Sequence, residues 1–114
     1  VLSEAMKKYS GERRVDLILT TGGTGMAPRD VTPEATLDIV ERPTPGLVEA
    51  IRAESLKITP LAMLSRAAAG IRGTTLIINF PGSPKACEEA FAIIRPSLAH
   101  GLELLTGAGG ECAR

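Results

Sequence analysis

The sequence is poor in aromatic side chains: its 114 residues include one Tyr, two Phe and no Trp. A hydrophobic core must therefore be built from Leu, Ile, Val, Ala and Met, as in buried sheets that helices cover on both faces. Proteins that bind single-stranded nucleic acid stack bases on exposed aromatic rings, so this composition argues against that class.

The chain also lacks an excess of either charge, because 13 Lys and Arg residues balance 13 Asp and Glu residues. Nucleic-acid-binding domains usually carry a basic excess or stripe, so we expect no nucleic-acid partner. No apolar run has the length needed to cross a membrane, and no signal peptide is recognisable. We therefore expect no membrane insertion.

Cysteine and histidine are scarce as well. Cys87 and Cys112 do not form a CxxC pair, and His100 is the only histidine. This pattern predicts no structural disulfide and no zinc site, which fits a reducing compartment and a cytoplasmic location. A catalytic Ser/His/Asp triad has no GxSxG motif to support it.

The hydrophobic pattern predicts helices that alternate with two clear strands in a single domain. The predicted strands are Val15 to Thr21 and Thr74 to Phe80. Helices are predicted over 1–9, from Thr32 to about 41, over 46–57 and from 83 to about 105, the last broken or restarted at Pro96. The stretch 61–70 is predicted to be a short buried helix and turn, and 106–114 a flexible tail.

This order of elements predicts an α/β fold in which the two strands run parallel through right-handed crossovers. Two strands are too few for a stable sheet. Further strands are therefore expected, either in the ambiguous middle of the chain or, as we favour, upstream of Val1.

A glycine cluster, Gly22-Gly23-Thr24-Gly25, follows the first strand. Its backbone N–H groups could face a phosphate at the carboxyl end of the strand. A tight strand-to-helix turn that needs positive φ would use the same residues. The cluster matches neither the P-loop nor the GxGxxG motif, so both interpretations stay open.

Charged residues continue this loop. Asp30 could hold Mg²⁺ or orient a phosphate, and it could equally bond to nearby backbone N–H groups. Arg29 is either a phosphate clamp or a solvated charge. Thr32 and Pro33 form a predicted helix start, with Thr32 as its N-cap.

The second strand ends in a similar device, Pro81-Gly82-Ser83, with Asn79 before it and Lys85 after it. If the strands are neighbours in a parallel sheet, both loops open at the same edge. Two ordinary strand-to-helix loops are the alternative. Ser65 is a candidate ligand contact or a helix-terminal hydroxyl.

Several separated motifs together resemble one family. They are LTTGGTGMAPRDVTPEAT (19–36), LSR (64–66), GIRG (70–73) and LIINFPGS (76–83). Together these motifs resemble the molybdopterin adenylyltransferase family, which includes bacterial MogA and MoaB, the gephyrin G domain and the plant Cnx G domain. Within that family the sequence is most similar to the eukaryotic type. The resemblance implies a three-layer α/β/α sandwich with a mostly parallel sheet, usually a homotrimer.

The resemblance also implies a reaction. Family members transfer AMP from Mg·ATP to the terminal phosphate of molybdopterin, release pyrophosphate and hand the product to a molybdenum-inserting, MoeA-like E domain. Asp30 would be the catalytic acid that positions Mg²⁺ or the reacting phosphate, and Ser65 would lie near the substrate. The phosphate and pterin site would comprise Gly22, Gly23, Thr24 and Gly25, and the nucleotide pocket Asn79, Pro81, Gly82 and Ser83.

One departure accompanies this resemblance. Family domains are longer at the N-terminus, where another strand and a second acidic, glycine-containing motif precede the region seen here. Residues 1–105 are therefore expected to be the C-terminal two-thirds of the domain, paired with the missing segment. The alternatives are a gephyrin-type scaffold that clusters receptors and a ligand-binding remnant without catalysis.

Overall fold

A computed structural model describes residues 1–107, which form four α-helices, four strands and one short 3-10 helix. The helices are α1 (Leu2–Gly11), α2 (Thr32–Ile39), α3 (Pro45–Leu56) and α4 (Pro84–Thr106). The strands are β1 (Leu17–Thr21), β2 (Arg42–Pro43), β3 (Ala69–Arg72) and β4 (Thr75–Phe80). The 3-10 helix is Pro60–Leu64.

The four strands form one sheet in the order β1-β4-β3-β2. The two strands predicted from the sequence are neighbours, and they pair in parallel with Leu19 opposite Ile78. β3 pairs antiparallel with β4, and β2 antiparallel with β3. Three of the four described strands thus point the same way, and the carboxyl ends of β1 and β4 lie at one edge.

Helices cover both faces of the sheet, which confirms the predicted three-layer α/β/α class. β4 is buried along its whole length because its side chains alternate between the two layers. On one face Ile78 and Phe80 pack with α3 and α4, where Ile51 and Ile94 are buried. On the other face Ile77 packs with Met6 of α1 and Ile39 of α2.

The middle of the chain differs from its prediction. The stretch 61–70 is not a buried helix: Leu61 and Met63 of the 3-10 helix are more than 60% exposed. Its last residues instead begin β3, whose strand character is hidden by alanine and glycine, which have low strand propensity. β2 has two residues and includes Pro43, too little for any periodicity.

Two helix predictions also change. The prediction of Thr32 as N-cap is wrong: Val31 takes that position without a side-chain cap, and Thr32 begins the helix. α4 runs without interruption through Pro96, whose exposed position tolerates the missing N–H bond. By contrast, Thr59 and Ser83 cap their helices as the Thr-Pro and Ser-Pro pairs indicate.

No helix within residues 1–107 combines the length and the apolar character needed to cross a membrane. The predicted tail falls mostly on residues 108–114, which lie outside the described part of the chain. Thr106 itself is the last residue of α4.

Candidate functional site

The loops that follow β1 and β4 meet at one edge of the sheet. The Gly22 N–H donates to the Phe80 carbonyl at 3.1 Å. A Cβ atom on Gly82 would lie 3.5 Å from the Gly22 Cα, so the two loop backbones are in contact. The parallel pairing of β1 and β4 thus brings the two predicted loops together.

The first loop needs glycine at Gly23 and Gly25 for different reasons. Gly23 has φ of +71°, and a Cβ atom there would lie 2.2 Å from the Thr32 Oγ1. Gly25 has no such φ restriction, but its Cβ atom would lie 2.9 Å from the Asp30 Oδ2. The loop is therefore closed on itself, and its backbone is held where a side chain would not fit.

Asp30 closes the loop from its far end. Its Oδ2 accepts the Ala27 N–H at 3.1 Å, while its own N–H donates to the Ala27 carbonyl at 2.9 Å. Within residues 1–107, its Oδ1 accepts no hydrogen bond. Asp30 thus has the predicted backbone-bonding role, and one carboxylate oxygen remains for a ligand.

Arg66 holds the loop by donating hydrogen bonds to its carbonyl groups. Its N–H donates to the Thr24 carbonyl at 2.8 Å, and its Nε donates to the Gly25 carbonyl at 2.7 Å. The two terminal nitrogens donate to the Asp30 carbonyl and to the Glu34 carboxylate. One guanidinium therefore joins the start of the loop, its end and the first turn of α2.

The hydrogen bond that the Arg66 side chain donates lowers the pKa of Glu34. The backbone N–H of Glu34 also lowers it by hydrogen bonding to the carboxylate, and the positive charge of Arg66 acts in the same direction. The partial loss of hydration opposes these effects without reversing them. Glu34 is accordingly ionised at neutral pH and neutralises Arg66.

Four consecutive peptide N–H groups in the loop remain uncommitted. Among residues 1–107, the N–H groups of Gly23, Thr24, Gly25 and Met26 donate to no acceptor. Successive free N–H groups in a turn are the device by which proteins bind phosphate. This is the strongest indication of a ligand site in the molecule.

A cleft of about 300 Å³ lies beside these groups. One wall is apolar and comes from α3 and the 3-10 helix, including Ile51 and Leu61. Its charged lining residues are Arg52 and Glu89. Five of the predicted site residues line this cleft: Thr24, Gly25, Ser65, Asn79 and Pro81.

Asn79 lines the cleft but is 1% exposed. Its amide nitrogen donates to the Thr20 Oγ1 at 3.0 Å and to the Thr36 Oγ1 at 2.8 Å. Its Oδ1 accepts the Ala68 N–H at 3.0 Å. These bonds tie β1, α2 and the residue before β3 to β4. Contact between Asn79 and a nucleotide stays a prediction, while its structural role is clear.

Ser65 lines the cleft at the end of the 3-10 helix. Its Oγ accepts the Ala67 N–H at 3.2 Å, which leaves its hydroxyl hydrogen available. Arg52 supports this segment by donating to the Ser65 carbonyl at 3.2 Å and to the Ala67 carbonyl at 3.1 Å. The predicted place of Ser65 near a substrate is therefore compatible with its surroundings.

The second loop is simpler. The Ser83 Oγ accepts the Ala86 N–H at 3.1 Å and so caps α4. The Cys87 thiol donates to the Pro81 carbonyl at 2.9 Å. Gly82 and Ser83 do not line the cleft, although they adjoin Gly22 and Pro81, which does.

Sequence reasoning missed the arginine that matters most. Arg29 is exposed and forms no ion pair within residues 1–107, whereas Arg66 makes the loop contacts. Arg66 lies 41 positions after Gly25. No local periodicity connects residues so far apart.

The described residues contain no group of three or more His, Cys, Asp or Glu side chains that could hold a metal ion. A divalent cation at Asp30 would thus take one protein carboxylate and complete its shell with phosphate oxygens and water, the usual arrangement for Mg²⁺.

Comparison with known proteins assigns the family. The profile of a family described as a probable molybdopterin binding domain matches residues 1–100. The chain belongs to this molybdopterin-binding domain family. The resemblance seen in the sequence is thereby confirmed.

Members of the molybdopterin-binding domain family share both sequence and fold with this chain. It is 43% identical over 107 residues to the molybdopterin adenylyltransferase of Helicobacter pylori, covering 94% of this chain and 61% of that protein. It is 54% identical over 89 residues to the gephyrin of Dictyostelium discoideum, covering 78% of this chain and 12% of that protein.

The crystal structure of the molybdopterin biosynthesis enzyme MoaB from Thermus thermophilus superposes with a TM-score of 0.87 at 49% identity. The match covers 93% of this chain and 67% of MoaB. The chain thus spans only part of each relative's length.

Proposed function

We propose that this domain acts in molybdenum cofactor biosynthesis by transferring AMP from Mg·ATP to the terminal phosphate of molybdopterin, releasing pyrophosphate. The observation that carries the proposal is the run of four unbonded N–H groups from Gly23 to Met26, beside the cleft. The reaction is inferred from relatives that are named molybdopterin adenylyltransferases. The unbonded N–H groups support it because they could bind phosphate.

In this proposal the loop residues bind and orient phosphate. Phosphoryl and nucleotidyl transfer need positioning and charge neutralisation more than covalent help from the protein. The N–H groups of the loop would hold phosphate oxygens, while the apolar wall at Ile51 and Leu61 would contact a ring system. The Ser65 hydroxyl would donate to a polar group of the substrate.

Asp30 would be the protein ligand of Mg²⁺. Within residues 1–107 its Oδ1 accepts no hydrogen bond, and its Oδ2 is fixed by the Ala27 N–H, so the carboxylate keeps one orientation. When bound, Mg²⁺ would neutralise phosphate charge. Asp30 itself would orient the phosphates relative to the loop N–H groups.

Adenylyl transfer is tested by incubating the full chain with Mg·ATP and molybdopterin and measuring pyrophosphate release. The proposal expects release that depends on both substrates and on Mg²⁺. Absence of release from a folded protein whose sheet is complete at the β1 edge would contradict it.

We further propose that another strand completes the sheet at β1. Within residues 1–107 the outer edge of β1 pairs with no strand, and Leu19 on it is 38% exposed. Open edges of parallel sheets are uncommon because they leave backbone groups unpaired. A stable, fully active monomer of intact mass 11.9 kDa would contradict this proposal.

Assembly and location are proposed from the family. We propose a homotrimer, a cytoplasmic location and, by analogy with gephyrin, linkage to a MoeA-like E domain. The scaffold alternative draws on the identity to Dictyostelium gephyrin. A scaffold would retain its oligomeric state and partner binding in Asp30→Asn, whereas the proposed enzyme would lose turnover.

A further inference from the structure

The direction of the loop N–H groups follows from what their peptide planes do on the other side. In a trans peptide the C=O and the next N–H point in opposite directions. The Thr24 carbonyl accepts from the Arg66 backbone, and the Gly25 carbonyl accepts from the Arg66 Nε. The N–H groups of Gly25 and Met26 therefore point away from Arg66.

The charge of Arg66 is used within the protein. One terminal nitrogen donates to the Asp30 carbonyl and the other pairs with Glu34, so all three guanidinium nitrogens have partners. The Arg66 side chain is 34% exposed and the Glu34 side chain 60% exposed. Arg66 is thus arranged to shape the loop, since a direct phosphate ligand would present its donors to the ligand.

We propose that Arg66 is a positioning residue, which aims the Gly25 and Met26 N–H groups at a phosphate by holding the carbonyls on the opposite side of the same peptides. This inference rests on the proposed function, because it takes a phosphate as the ligand of the loop. The charged Nε on the Gly25 carbonyl also polarises that peptide, which strengthens the Met26 N–H as a donor.

Lysine cannot replace arginine in this role. Its ammonium is a single point on a flexible stem, whereas the planar guanidinium donates in several fixed directions at once. Arg66→Lys therefore keeps the positive charge and removes the geometry. Arg72→Lys is the matched control: Arg72 is half-buried and donates to the Ile39 carbonyl at 2.8 Å, in a part of the fold that does not line the cleft.

The test titrates the isotopically labelled full chain with inorganic pyrophosphate and follows the Gly25 and Met26 amide resonances. Both amides are expected to shift in the unmodified chain. Arg66→Lys is expected to weaken pyrophosphate binding at least about tenfold, the scale of one charge-assisted hydrogen bond lost, and Arg72→Lys by less than about twofold. Equal binding of pyrophosphate by Arg66→Lys and the unmodified chain would overturn the role proposed for Arg66 and leave the proposed phosphate role of the loop standing.

Failure of the unmodified chain to bind pyrophosphate at these amides would overturn the proposed phosphate role of the loop, and the inference with it. The two failures are therefore distinguishable.

A second variant covers the case in which Arg66→Lys does not fold. Glu34→Gln changes an exposed carboxylate and removes the ionic partner of one terminal nitrogen of the guanidinium, leaving at most a neutral hydrogen bond. Removing a negative charge should by itself tighten anion binding, so weaker binding, by about threefold, is the result that a loosened clamp predicts. Unchanged or tighter binding would contradict the role given to Arg66.

Discussion

The two loops at the carboxyl ends of β1 and β4 occupy equivalent places in the sheet, yet they are built differently. The first, from Gly22 to Asp30, is closed by Asp30 and Arg66, and four of its N–H groups donate to no acceptor in the part of the chain that the structure describes. The second, from Pro81 to Ser83, uses its serine to cap α4. Topology places both loops at the candidate site, but only the first is held by a distant side chain in the shape that we propose binds an anion.

The largest expected effect tests whether the first loop is the more constrained. Gly23→Ala combines a positive φ with a Cβ atom 2.2 Å from the Thr32 Oγ1, and we expect it to lower the free energy of unfolding by about 3 kcal/mol. Gly82→Ala is the matched control, because its Cβ atom would meet only an ordinary 3.5 Å contact. Urea denaturation measures both, and equal losses would remove the distinction between the loops.

Asp30→Asn tests whether the first loop carries the chemistry. The amide oxygen of asparagine can still accept the Ala27 N–H, so we expect the fold to be retained. The loss of charge should lower the rate of pyrophosphate release about 100-fold. Asp38→Asn, an exposed change on α2, is the control and should leave the rate unchanged. Unimpaired turnover in Asp30→Asn would show that this carboxylate is not catalytic.

Ser83→Ala tests whether the second loop is mainly structural. Loss of the cap on α4 should cost about 1 kcal/mol of unfolding free energy. Ser83→Asp keeps a capping oxygen and should restore most of that stability. If Ser83→Ala instead reduced pyrophosphate release as strongly as Asp30→Asn, the second loop would share the chemistry.

The smallest effect concerns pH. Because Arg66 lowers the pKa of Glu34 in the folded chain, the ion pair stabilises the fold above the ordinary glutamate value of 4.5 and is lost as pH falls through the lowered value. The thermal midpoint of Glu34→Gln should thus fall slightly below that of the unmodified chain at pH 7 and match it once the pH has fallen below the lowered pKa of Glu34. Glu49→Gln, on exposed α3 surface, should show no such convergence.

Much of the fold could be predicted because its signals are local. The apolar run at Thr75–Phe80 and the Ser83-Pro84 pair each indicate structure within a few residues. β3 was not predictable in this way, since its Ala-Gly start has no strand propensity and is a strand only because β4 offers a partner.

In the candidate site too, local features could be predicted from the sequence and long-range contacts could not. A glycine cluster after the first strand and a Pro-Gly-Ser sequence after the second indicated the two loops, and Asp30 was recognisable as a loop acid. Its bond to Ala27 spans three residues and is therefore local. The hold of Arg66 on Gly25 and the burial of Asn79 against Thr36 join residues more than 40 positions apart.

The sequence by itself determined the α/β class, the parallel pair of strands, the family and the identity of the loop that carries the candidate site. These follow from periodicity, short motifs and helix starts, which act over neighbouring residues. Only the tertiary structure decided which arginine holds the loop, which loop N–H groups have no acceptor among the described residues and which polar side chains are buried in internal hydrogen bonds. Those choices depend on hydrogen bonds between segments that are adjacent only once the sheet and its helices have packed.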